Sequence, residues 1–266
     1  MNKLSMSVAA VLFAATVGSA FAEEIAAVKS PGDLVQAKRV TLADGIFTFK
    51  GKGALESVAF IQVDPAKKYR VSGEFRAQAG SVPARLYFGF KPCDAEGQRI
   101  QPQYIHVIGG SQTVTAADAQ KGDKTLTVRK AAWDVKTPYS HVALHAENDL
   151  SDLPNFDVVP VAPNGIQAEG DTLKITLAEP LKTDLPAGTK IRQHLAGDGY
   201  IYCAGKSFLK DQWEARSGVV SGFAKDARSD RQFWPGTVKV RILILATGAS
   251  QDCVTECRNI KVEEVQ

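Results

Sequence analysis

The stretch from Tyr69 to Arg99 constrains the fold more than any other. Tyr69, Val71 and Phe75 alternate with Arg70, Ser72, Glu74 and Arg76, the period of a strand with one buried face. After a Gly/Ser/Pro break, Leu86, Phe88 and Phe90 repeat the pattern, and the Asp94–Arg99 turn is polar. Two amphipathic strands joined in this way belong to an antiparallel sheet lying on a core. Tyr69, Val71, Phe75, Leu86, Phe88 and Phe90 are therefore predicted to be core residues.

The rest of the chain continues in the same style. Strands are predicted over Gly45–Gly53, Val58–Val63, Tyr104–Ile108, Lys124–Lys130, Ser140–Ala146, Thr172–Leu177, Val238–Leu245 and Asn259–Val265. Thr189–Leu195 and Tyr200–Cys203 read as a hairpin around Ala196-Gly-Asp-Gly199. No amphipathic helix follows the N-terminal segment. Many short strands with turn signals between them specify an all-β chain, an antiparallel β-sandwich with an extended middle elaboration over residues 100–200. One domain is expected over 23–266, with the Pro160–Gly165 loop as the place to divide it if there are two.

Lys3, the apolar run Met6–Val17 and the small residues of Ser19-Ala20-Phe21-Ala22 have the form of a cleaved export signal over residues 1–22. That run is too short to span a membrane, which takes about 20 residues, and no later segment is long and apolar enough. The expected location is secreted or periplasmic. A net charge of +3 without any Lys/Arg cluster argues against nucleic acid as a partner.

In an exported chain Cys93, Cys203, Cys253 and Cys257 can form two disulfides. Cys253 and Cys257 flank a short polar turn, Val-Thr-Glu, between two apolar strands, which suits a local bridge and leaves Cys93 with Cys203. The alternative keeps them reduced as small buried apolar groups.

His141 and His145 have metal-pair spacing only on a helix. In a strand, four residues at about 3.3 Å each separate them by roughly 13 Å, too far to share an ion. Gly205-Lys206-Ser207 resembles the tail of a phosphate loop, but Tyr200 stands where that motif needs glycine. No nucleophile elbow or zinc-protease helix motif is present, so a non-catalytic protein without a resident cofactor is expected. The loop Glu147–Asp157 is rich in oxygen ligands, and Asp149, Asp152 and Asp157 are the candidate calcium ligands. Its other reading is a solvated loop whose Asp and Asn residues cap turns.

Aromatic residues carry the stronger signal. Tyr200 and Tyr202 share a strand face opposite Ile201 and Cys203, so they point outward if Cys203 points inward. With Arg85, Tyr87, Trp133 and Arg192 they are the candidate ligand contacts, since sugar faces stack on rings and sugar hydroxyls bond to polar side chains. Trp213 and Trp234 serve equally well as pillars between sheets.

Four segments together resemble the bacterial carbohydrate-binding, galactose-binding-like jelly rolls. They are Tyr69-Arg-Val-Ser-Gly-Glu-Phe75, Trp213 with the strand to Gly222, Pro235-Gly-Thr before the apolar run to Leu245, and Asn259-Ile-Lys-Val-Glu263. The resemblance covers roughly residues 55–100 and 210–265. It implies a jelly-roll fold and a polysaccharide or glycan ligand, and it transfers no individual binding residue. The leading expectation is an exported glycan-binding sandwich. The alternatives are a structural or adhesive envelope component that engages protein partners, and a polysaccharide hydrolase or lyase with no local motif.

Overall fold

A computed structural model describes residues 22–197, 199–226, 228–248 and 250–266. The expected export signal, apart from Ala22, lies outside the described residues. In chain order the first strands are β1 (Glu23–Ala27), β2 (Val40–Ala43), β3 (Ile46–Lys50), β4 (Gly53–Glu56), β5 (Ile61–Gln62), β6 (Lys68–Ala77) and β7 (Arg85–Cys93). A short helix, α1 (Pro102–Ile105), leads to β8 (Thr113–Val114), β9 (Thr125–Arg129), β10 (Ser140–Leu144), β11 (Val158–Glu169), β12 (Thr172–Leu177) and β13 (Lys190–Leu195). Then come β14 (Ile201–Phe208), β15 (Glu214–Ser221), β16 (Lys239–Thr247) and β17 (Val254–Val265).

The all-β sandwich is present. One antiparallel sheet has the order β15-β6-β17-β3-β2, with β1 also paired to β17, and a second has the order β14-β7-β16-β4, with β5 on β16. Their inner faces share one hydrophobic core. The alternation in the opening stretch places Val71 and Phe75 from β6 against Leu86, Phe88 and Phe90 from β7, all fully buried, with Phe75 edge-on to Phe88. Each such ring removes about 150–250 Å² of apolar surface from water.

The middle elaboration is inserted between β7 and β14, which are neighbours in the second sheet. It forms a third sheet of order β8-β13-β10-β11-β12-β9. A bridge between Thr115 and Val128, with Ala116 N–H donating to Thr127 O, joins the two ends of this order. The sheet thereby closes on itself around a separate core that includes Leu126, Val142, Leu144, Ile175 and Ile191. Residues 160–165, the expected loop, lie inside β11, where the register shifts between Val161 and Ile166 and Asn164 adopts φ 56°.

Three further expectations are corrected. Tyr104 and Ile105 end α1 instead of starting a strand: Pro102 opens that helix, a position where its missing N–H costs nothing. The segments predicted as a hairpin, β13 and β14, belong to different sheets. The disulfides do not form, for all four cysteines are free. The Val-Thr-Glu segment is strand, not turn, so Cys253 and Cys257 are four extended residues apart, roughly 13 Å, against the about 4.4–6.8 Å between Cα atoms that a bridge needs. Cys203 sits in a bulge between the partners of Phe90 and Phe88, and Cys93 lies farther along β7. Burial pushes the Cys203 and Cys257 thiols up to about 12, which leaves them protonated and inert at neutral pH.

Within the insertion, a buried polar cluster ties β13 to the 147–155 loop and to α1. Arg192 on β13 is fully buried. Its guanidinium donates to Glu147 O at 3.0 Å, to the Asp152 carboxylate and to His194 Nε2 at 2.8 Å. On the far side of the imidazole, His194 Nδ1 faces Gln103 O at 2.7 Å, so that nitrogen carries the proton. Burial, together with the Arg192 charge, outweighs that hydrogen bond and lowers the His194 pKa to about 4. A protonated Nε2 would present a second donor to the guanidinium.

The consequence for stability has a definite sign. Between pH 6.5 and 4 the unfolded chain binds a proton at His194 that the folded chain refuses, so stability is complete above 6.5 and lost as pH falls through this window. His106 and His141, both lowered chiefly by burial, act in the same direction. Chemical denaturation at pH 7 and pH 4.5 is expected to show a fall of about 2–3 kcal/mol from His194 alone. A constant midpoint across this range would contradict the assignment.

Candidate ligand-binding surface

The outer face of the second sheet gathers four of the predicted contact residues. On β7 the alternation that buries Leu86 and Phe88 turns Arg85 and Tyr87 outward. The paired strand β14 brings Tyr202 beside Tyr87, with ring centroids 4.9 Å apart, and Tyr200 beside Tyr202 at 5.8 Å. β14 approaches this close because of Gly89: a Cβ there would lie 1.9 Å from Ile201 O. Ile201 is buried, and Tyr87, Tyr200 and Tyr202 are half-buried.

Two more residues, Arg99 and Phe208, extend the band. Arg99 stacks 4.0 Å from the centre of the Tyr200 ring and donates to Gly199 O at 2.9 Å. Arg85 lies 5.3 Å from the centre of Tyr87. Phe208 pairs with Arg85 across β14 and β7 and is 61% exposed, the most exposed of the described phenylalanines. The aromatic line thus runs Phe208, Tyr87, Tyr202, Tyr200, capped by arginines. A hollow of about 330 Å³ opens at the Tyr200 end, lined by Gly199, Tyr200, Tyr202, Lys206, Arg228 and Asp230.

Phe208 escapes the sequence reading because the predicted strand stops at Cys203. β14 continues through two register shifts, one of them at Gly205–Ser207, with Lys206 at φ 72°. These bulges restore the parity of Tyr202, so Phe208 returns to the same face. Counting by two from Tyr202 across Gly205 would have found it.

Two predicted contacts lie elsewhere. Arg192 is committed to the internal cluster. Trp133 is buried in the core of the insertion, its indole N–H donating to Ser111 O at 2.6 Å. The predicted calcium ligands do not converge either. Burial pushes the Asp152 carboxyl up, but hydrogen bonds from Asn155, from Glu147 N–H and from Arg192 prevail and hold it below the usual range. Asp149 accepts from Ser151, and Asp157 faces His145 at 3.8 Å. Among the described residues no group of three His, Cys, Asp or Glu side chains could hold a metal ion.

No protein-family model, curated protein or solved structure matches the chain.

A groove of about 720 Å³ crosses the outer face of the first sheet. It begins in the gap that β1 and β3 leave along β17, crosses the β17 bulge at Asn259 (φ 54°), and reaches β15. Its charged side chains stand in ion pairs with one another, although Arg216 Nε is buried without a partner. Glu74 accepts from Asn259 and Arg258, which keep its carboxyl below the usual range. Lys261 bonds to Glu263, Lys29 faces Glu24 and Arg216 bonds to Glu214. Trp213 lies beside this face between two arginines, Arg76 and Arg258, 4.5 and 4.3 Å from its ring centre. Trp234 is a fully buried pillar.

Proposed function

We propose that the protein is an exported, non-catalytic glycan-binding sandwich of the jelly-roll type, and that the Phe208–Tyr87–Tyr202–Tyr200 band is where the glycan lies. The observation that carries this reading is the contiguity of the Tyr87, Tyr202 and Tyr200 rings, with Phe208 on the same face beyond them. Four aromatic side chains on one sheet face, three of them half-buried and so held in place, offer an extended apolar strip of the kind on which sugar rings stack. Arginine guanidiniums at intervals along the strip supply the donors that sugar hydroxyls need. The groove on the first sheet is larger, but its cations stand in ion pairs with neighbouring carboxylates.

The test is substitution of the strip. Tyr200→Ala combined with Tyr202→Ala is expected to weaken binding to a retained polysaccharide by at least about tenfold, equivalent to 1.4 kcal/mol, with a melting temperature near that of the parent. Affinity electrophoresis against a polysaccharide panel reads the first quantity and calorimetry the second. Unchanged migration in every gel that retards the parent would remove the strip from the account.

A further inference from the structure

The charge around the strip is one-sided, and this bears on which glycan it takes. Arg85, Arg99, Lys206 and Arg228 border the rings or the hollow at their end. Of these, Lys206 is paired with Asp230. Arg85 spends two N–H groups on Lys206 O, each at 3.4 Å. Arg99 gives one to Gly199 O, and its Nε is buried without a partner. Among the described residues no carboxylate lies within ion-pair distance of Arg85, Arg99 or Arg228.

The other sheet shows that this is not the general habit of the chain. There Arg70 faces Glu263, Arg76 faces Glu256, Arg258 faces Glu74 and Lys261 faces Glu263. Cations without counter-charges, held against aromatic faces, attract an anion strongly, because arginine's planar fork matches a carboxylate or sulfate with two parallel hydrogen bonds. We propose that the ligand is an acidic polysaccharide, one whose sugar rings lie on the tyrosines and whose carboxylate or sulfate groups meet Arg85 and Arg99, with Arg228 at the hollow. This rests on the glycan reading above.

The experiment compares three probes on the full chain: polygalacturonate as a polyuronate, dextran sulfate as a sulfated chain, and unmodified dextran as its neutral counterpart. Titration calorimetry at two salt concentrations is expected to show binding to at least one acidic probe, weakened by salt, with dextran at least about tenfold weaker. Which acidic probe binds tells carboxylate from sulfate. Arg85→Gln, an exposed position, and Arg99→Gln should each reduce acidic binding several-fold, whereas Arg70→Gln, an equal loss of charge on the other sheet, should not. Equal affinity for dextran and dextran sulfate, abolished by the tyrosine substitutions, would overturn the acidic class and leave the glycan reading standing. Acidic binding indifferent to Arg85→Gln and Arg99→Gln, or equally sensitive to Arg70→Gln, would overturn the proposal as mere polyanion attraction. Binding to none of these probes or to the wider polysaccharide panel would sink both.

Discussion

Arg192→Ala is expected to destabilise the protein by about 3–5 kcal/mol, the cost of removing one partner of a buried ion pair. The guanidinium is fully buried and serves three acceptors: the Asp152 carboxylate, Glu147 O and His194 Nε2. Its loss strands a carboxylate that keeps only Asn155 Nδ2 and Glu147 N–H as donors, and leaves the imidazole acceptor without its proton source. The effect should be local in origin, because the cluster joins β13 to the 147–155 loop and to α1. Lys190→Ala on the same strand is the control. Its ammonium pairs with Glu147 at 2.7 Å with both side chains about half exposed, and exposed pairs contribute little. Denaturant titration of both variants checks the contrast, and a double substitution of Arg192 and Asp152 should cost less than the two singles added together.

Gly218→Ala is expected to cost about 3 kcal/mol or more, for a different reason. β14 and β15 are the edge strands of the two facing sheets, and Gly218 on β15 lies directly against the main chain of β14. A Cβ there would stand 2.2 Å from Cys203 O, 2.5 Å from its carbonyl carbon and 2.8 Å from its Cβ. No rotamer relieves a clash with main chain, so the two sheet edges must separate, an overpacking at the upper end of the usual range. At about 2–4 °C per kcal/mol for a chain of this size, the melting temperature should fall by roughly 6–12 °C. Gly109→Ala, with nothing within 4 Å of the added methyl, should leave it almost unchanged. Because Cys203 follows Tyr202, Gly218→Ala should also disturb the aromatic strip, so its ligand affinity should fall together with its stability.

These two sites mark where sequence reading succeeds and where it stops. Tyr69, Val71, Phe75, Leu86, Phe88 and Phe90 are legible because each strand has one buried face, and a period of two reports which face that is. Arg192 defeats the same rule because β13 is covered on both faces: Ile191 enters the barrel core while Arg192 and His194 meet the 147–155 loop and α1. Nothing local to the strand announces that covering. Of the two readings of the cysteines the reduced one holds: with Val254–Glu256 in a strand, the rise per residue that keeps His141 and His145 from sharing a metal also keeps Cys253 from Cys257. At the candidate site, Tyr87, Tyr200, Tyr202 and Arg85 are legible as outward residues of alternating strands. Arg99 and Arg228 reach the strip from loops distant in sequence, and Phe208 lies beyond Cys203, where the predicted strand stops. The groove across β17 depends on a gap between β1 and β3 that only strand pairing reveals.

The central claim, that the β7–β14 face and not the larger groove receives the ligand, is tested most directly by amide chemical-shift mapping. Isotope-labelled protein would be titrated with a short oligogalacturonate, or with whichever probe calorimetry has shown to bind. Shifts that concentrate at Arg85, Tyr87, Arg99, Tyr200, Tyr202 and Phe208 are predicted. Shifts confined to Ser72, Glu74, Ser217 and Asn259, along the groove, would contradict it.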